Sequence, residues 1–243
     1  MNNQYRMSRG ESAREARRTR LSTIFKDSVE MMRSQDLQES IKASRANTRT
    51  YFNDNIEFNR PEFGKKTQVT VTNHRTLEAA GLIHEKNPDK RIGVLNFASA
   101  TNPGGGVVWG SSAQEESLCR CSTLYPVLNQ KSLLTNYYDF HRSRQNPLYT
   151  DRCIYTPSVK VIKSDTDYPE RLDSNRFFDV DVITCAAPNL RHAEPVSDAE
   201  LERLHLQRGR RILDVAVENK IDCFVASCRQ SLRQTHGRIQ GSL

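Results

Sequence analysis

Apolar positions along the 243-residue chain change their spacing twice. Between about Glu11 and Met32, Ala13, Ala16, Leu21, Ile24, Val29 and Met32 form an imperfect stripe at helical spacing, which predicts one helix in an otherwise polar, basic segment. From about residue 67 strand and helix patterns alternate. Thr67-Gln68-Val69-Thr70-Val71-Thr72 has period two and reads as a strand, Leu77, Ala80 and Ile83 predict a helix over 76–85, and 92–97 reads as a buried strand. A helix is expected to begin near Ser112, to carry Leu118, Tyr125 and Leu128, and to be interrupted by Pro126. Residues 154–162 read as a bent extended segment. Residues 177–185 read as a central strand that Ala186-Ala187-Pro188-Asn189 ends. Ser197 and Glu200 supply a capping box for a helix with Leu201, Leu204, Ile212, Leu213 and Val217 on its apolar face, and 221–226 is the last strand. Beyond Ala226 the period disappears, and a loose tail is expected to residue 243.

This alternation argues for an α/β fold, a sheet between helices, with ligands expected at strand carboxyl ends. The division it suggests is a helical, basic extension over 1–60, a core over 61–226 and an atypical tail over 227–243. The length suits one principal domain.

Composition adds little that is decisive. The net charge of +7, from 36 Lys and Arg against 29 Asp and Glu, suits a polyanionic substrate and is equally an ordinary excess. Arg14, Arg17, Arg18 and Arg20 read either as phosphate contacts or as a solvated helix face. No aromatic residues interleave with them, which argues against a nucleic-acid partner. The cysteines Cys119, Cys121, Cys153, Cys185, Cys223 and Cys228 are scattered, without a paired C-x-x-C set, and Cys185 and Cys223 sit in apolar runs as small hydrophobes. A reducing, cytoplasmic compartment and no metal site are expected. No run reaches the roughly 18 apolar residues of a membrane span, and the Arg-rich N-terminus lacks the apolar stretch of a secretion signal.

The chemistry concentrates in Asn96-Phe97-Ala98-Ser99-Ala100-Thr101-Asn102-Pro103-Gly104-Gly105-Gly106, followed after seven residues by Gln114-Glu115-Glu116. Glycines let a ligand approach the main chain, whose amides then cradle a sugar or phosphate. This run fits neither the P-loop nor the G-x-G-x-x-G spacing. Ser112 to Glu115 reads as a capping box that sets both glutamates in the first helical turn. Two readings are open there. Acidic residues at a helix N-terminus are stabilised by its dipole and need do nothing else; adjacent carboxylates also oppose each other's ionisation and raise one pKa towards the range of a general acid. Tyr137, Tyr138, Phe140 and His141 either line a pocket or pack in the core, His74 and His141 are taken as structural, and Trp109 is either a hydrophobic lid or an exposed anchor.

At these residues the chain resembles the bacterial-type poly(ADP-ribose) glycohydrolases, whose signature is G-G-G, six to eight residues, then Q-E-E. Gly104-Gly105-Gly106 and Gln114-Glu115-Glu116 match it. Asn96-Phe97-Ala98, Asn102-Pro103, Leu118-Cys119-Arg120, Leu124-Tyr125-Pro126 and Ala186-Ala187-Pro188-Asn189 extend the similarity over about residues 65–226. The resemblance implies a macrodomain-like mixed sheet sandwiched between helices that binds the terminal ADP-ribose of poly(ADP-ribose). It implies hydrolysis of the ribose–ribose O-glycosidic bond through an oxocarbenium-like transition state, without metal or other cofactor. By motif position Glu116 would be the catalytic acid and Glu115 would orient the ribose hydroxyls. Gln114 would support the loop, Asn102 would contact the ribose, and Gly104, Gly105 and Gly106 would give close backbone approach. Poly(ADP-ribose), ADP-ribose and ADP-ribosylated proteins are the implied partners.

One departure accompanies the match. The family follows the strand corresponding to 221–226 with a G-x-G-A-F loop around the diphosphate and then a further helix and strand, where this chain has Ser227-Cys228-Arg229-Gln230. A truncated or frameshifted reading frame is the expectation, with a binding module or inactive remnant as the alternative to an enzyme.

Overall fold

In a computed structural model of the chain, residues 9–52, 67–191 and 193–226 are described. The tail expected after Ala226, and the loop departure within it, lie outside them. In chain order the elements are α1 (Arg9–Met31), α2 (Gln35–Asn47), β1 (Arg49–Tyr51), α3 (Thr76–Lys86), β2 (Ile92–Phe97), a 3-10 turn (Val107–Trp109), α4 (Gln114–Cys121), α5 (Leu124–Leu128) and α6 (Lys131–Leu133). A π-turn (Leu134–Asp139), α7 (Phe140–Arg144), β3 (Cys153–Val161), β4 (Phe178–Cys185), α8 (Asp198–Glu218) and β5 (Cys223–Val225) follow.

The five strands form one mixed sheet in the order β1-β3-β4-β2-β5. β2 runs parallel to β4 and β5, whereas β3 is antiparallel to β4 and β1. The central position read for β4 holds. Side chains of a strand alternate between faces, and successive residues of β2 divide accordingly: Val94 joins a core with Phe25, Leu77, Leu118, Leu124 and Tyr138, and Leu95 joins a second core with Tyr155, Ile183, Val215 and Ala216. Helices thus cover both faces, and each fully buried Leu, Ile or Val contributes about 1.5–3 kcal/mol.

The basic N-terminal segment is tied to this sheet. β1 adds an edge strand in register with Cys153 to Tyr155. Leu21 and Phe25 of α1 are buried, the Ser28 hydroxyl donates to the Arg120 carbonyl at 2.6 Å, and the buried Lys163 ammonium donates to the Ile24 carbonyl at 2.8 Å. α2 buries Leu37 and Ile41 and anchors Ser44 on the Pro157 carbonyl at 2.6 Å.

Four expectations change. Residues 67–72 form no strand, and Val69 and Val71 are exposed. The helix break falls at Ser122–Thr123 rather than at Pro126, which occupies the first turn of α5 where its missing N–H costs nothing. α4 begins at Gln114 behind Ala113 with no side-chain cap, so the Ser112–Glu115 capping box does not form. On α8 the Ser197 hydroxyl accepts from the Glu200 amide, yet Leu213 points to solvent and Val215 and Ala216 bear the packing. The bend in β3 is a register shift between Thr156 and Val159, with Ser158 at φ 51°.

Candidate active site

β2 delivers the chain to the site. Past Phe97 the main chain runs as a loop through Ser99 and Asn102 to the three glycines, turns through Val107–Trp109, and returns as α4 with Gln114, Glu115 and Glu116 as its first residues. The carboxyl end of the central strands and the amino end of α4 therefore meet.

Gln114 stitches them together. Its Nε2 donates to the Leu95 carbonyl at 2.6 Å and its Oε1 accepts from the Phe97 amide at 2.9 Å. A residue opposite Asn96 on a parallel neighbour would make that same pair of bonds. The Ala98 amide points to the Cys185 carbonyl of β4, so Gln114 serves the other side of β2, above the point where β5 pairs with Val94. Its side-chain amide replaces a strand.

Glu115 turns inward and is 3% exposed. Its Oε2 accepts from the Ser99 amide at 2.7 Å and its Oε1 from Asn96 Nδ2 at 3.4 Å. Asn96 also donates to Thr184 Oγ1 at 3.2 Å. Burial pushes the Glu115 carboxyl up to about 8, against these hydrogen bonds, and the neighbouring Glu116 carboxyl adds to the rise. Glu116 is 7% exposed. Its Oε1 accepts from the Gly106 amide at 2.9 Å, while Oε2 is buried and has no partner among the described residues.

The glycines explain why this fits. Gly104 and Gly105 have φ of 67° and 57°, where a side chain costs about 1–2 kcal/mol. A Cβ on Gly105 would lie 2.5 Å from Glu116 Oε1, and one on Gly104 2.7 Å from the Tyr125 ring. A Cβ on Gly110, at φ 73°, would overlap the Arg18 carbonyl of α1, and one on Gly106 would overlap the Ser111 hydroxyl. Asn102 is exposed; its carbonyl accepts from the Gly105 amide at 3.0 Å and its side chain bonds Thr101.

Chemically, the arrangement offers two buried carboxyls, one with both oxygens engaged and one with a free oxygen, beside a main chain stripped of side chains. The motif residues come together in the structure. Asn96, Ser99, Thr184 and Arg120 complete the site without having been assigned roles from sequence. Arg120, 2% exposed and one turn after Glu116, donates to the Ser111 carbonyl at 2.5 Å. An i+4 spacing from Glu116 is the signal that could have found it. Trp109 is 76% exposed. Tyr137, Tyr138 and His141 are buried in the core, and His74 contacts Glu78 at 3.1 Å.

A cavity of about 400 Å³ lies away from these carboxyls, beside Arg49, Arg91, Ser158 and Lys220. Chemistry rather than volume locates the site. Among the described residues no group of three or more His, Cys, Asp or Glu side chains is arranged to hold a metal ion, and no helix is long and apolar enough to cross a membrane.

Residues 18–164 match the family model "Microbial-type PARG, catalytic domain". Among solved structures, the chain is similar to poly(ADP-ribose) glycohydrolase from Thermomonospora curvata, at 27% identity and TM-score 0.75, over 85% of this chain and 78% of that one. A structure of that protein bound to the inhibitor ADP-HPD gives TM-score 0.72 at 27% identity over the same shares. The poly(ADP-ribose) glycohydrolase of Deinococcus radiodurans in complex with ADP-ribose is 33% identical, with TM-score 0.63, over 74% of this chain and 71% of that one. No curated protein sequence matched.

Proposed function

We propose, from the premise that this chain belongs to the family of microbial-type poly(ADP-ribose) glycohydrolase catalytic domains, a mechanism in which Glu116 carries the reacting proton. The reaction is hydrolysis of the ribose–ribose O-glycosidic bond of poly(ADP-ribose), releasing ADP-ribose. The observation that carries the assignment is the asymmetry of the two glutamates. Glu115 has both oxygens engaged, whereas Glu116 is fixed by Gly106 through Oε1 and keeps a buried, unpartnered Oε2.

Glu116 Oε2 protonates the leaving ribose oxygen as the glycosidic bond breaks. Water then adds to the anomeric carbon and returns its proton to the same carboxylate. Glu115, held neutral by burial, orients the ribose hydroxyls. Gln114 keeps the end of β2 and the start of α4 in register. Asn102 contacts the ribose, and Gly104, Gly105 and Gly106 admit ribose and diphosphate to the main chain. One carboxyl acts as acid and base in turn, so the spacing rules of two-carboxylate glycosidases do not apply.

The natural substrates on this reading are polymers carried by ADP-ribosylated proteins, and the compartment is the cytoplasm, which the free thiols of Cys119, Cys121, Cys153 and Cys185 support. The test is release of ADP-ribose from poly(ADP-ribose), with Glu116→Gln as control. Release should fall at least about a hundredfold in the variant, with ADP-ribose affinity retained. Binding without release by the unmodified protein would refute the hydrolytic role.

A further inference from the structure

The amino half of α1 carries arginines on the side that faces the core. Leu21, Phe25, Ser28 and Met32 are buried at spacings of four, three and four residues. Extending that stripe backwards reaches Arg18 and Arg14, with Arg17 beside them. All three are exposed, and from Arg14 to Arg20 the helix holds four arginines and one carboxylate, Glu15. The inner face therefore continues past the edge of the core as cationic rather than apolar surface.

That surface lies against the turn leading to Glu116. The Arg18 carbonyl fills the space a side chain at Gly110 would need, and the Ser22 hydroxyl donates to the Val108 carbonyl at 2.8 Å. Arg17 shares a small cleft with Ser112 and Arg120. Arg120 is 2% exposed, and its Nε has no partner among the described residues. On the same turn Trp109 exposes its indole.

We propose that Arg14, Arg17 and Arg18 bind the diphosphate of the ADP-ribose unit next to the terminal one, with Trp109 as a stacking face for its base. This rests on the glycohydrolase reading above and adds a polymer-specific subsite to it. Every unit of the polymer carries a diphosphate, and guanidinium forks pair with phosphate oxygens bidentately. Arg14 and Arg18 are about 6 Å apart along the helix axis, a span matched to one diphosphate. Exposed aromatic rings hold bases by stacking without regard to identity.

The test compares ADP-ribose with a purified linear oligomer of poly(ADP-ribose), in the Glu116→Gln background so that the oligomer is not consumed. The oligomer should bind at least about tenfold tighter than ADP-ribose. In Arg14→Gln/Arg17→Gln/Arg18→Gln that advantage should vanish with ADP-ribose affinity held, and an unchanged thermal melt verifies folding. Trp109→Ala should remove part of it. Equal affinity for the two ligands, or an advantage that survives the triple variant, overturns the inference while leaving the glycohydrolase reading intact. Single-stranded RNA binding as tightly through the same arginines also overturns it, because the surface would then be a general polyanion site. Failure of the unmodified protein to release ADP-ribose, with the oligomer advantage present, counts against the reaction alone.

Discussion

Glu115 and Glu116 are neighbours in sequence with different surroundings. Burial holds the Glu115 carboxyl near 8, well above its ordinary value of 4.5. Between those two values the folded protein binds a proton that the unfolded chain has released, so stability falls as pH rises from about 4.5 to about 8 and then levels. Thermal denaturation across that range should show the decline. Glu115→Gln should flatten it, and an equally steep profile in the variant would remove Glu115 as its source. The motif made Gly104 to Gly106 and Gln114 to Glu116 readable as a unit. Asn96 and Ser99 escaped assignment because their roles arise only when the end of β2 folds back on α4, 15 or more residues later.

Among the elements, α3, β2 and β4 were legible because periodicity and burial agree in them, and α8 because Ser197 caps its start. Residues 67–72 show where that logic stops. An alternating pattern makes a strand only when a neighbour turns one face inward, and no described strand lies beside Val69 and Val71. β1 is the reverse case: at three residues it is too short to show a period, and its pairing with β3 defines it. α1 is held partly by charge. Lys163, 2% exposed at its side chain, meets Asp27 at 2.7 Å, and Asp27 also pairs with Arg171. Asp27→Ala leaves the Lys163 ammonium buried with the Ile24 carbonyl as its one partner among the described residues. A loss of about 1–3 kcal/mol is expected, discounted because Asp27 is 37% exposed. Denaturant melts should register it, whereas an unchanged midpoint would mean that the helix is held by its apolar stripe alone.

Across the whole molecule, two helices on one face of the sheet converge on the carboxyl end of β2: α4 directly, and α1 through its contact with the turn at Gly110. There is no space for even one methyl group between Gly110 and the Arg18 carbonyl, so the helix rests directly on the turn. The turn cannot swing towards α1 to admit a polymer, so opening must carry the helix outward or bend the chain on the glycine side. Native-state hydrogen exchange should therefore report one shared opening free energy for the amides of Val107 to Gly110 and the facing turns of α1. Separate values would mean that the turn breathes independently of the helix resting on it.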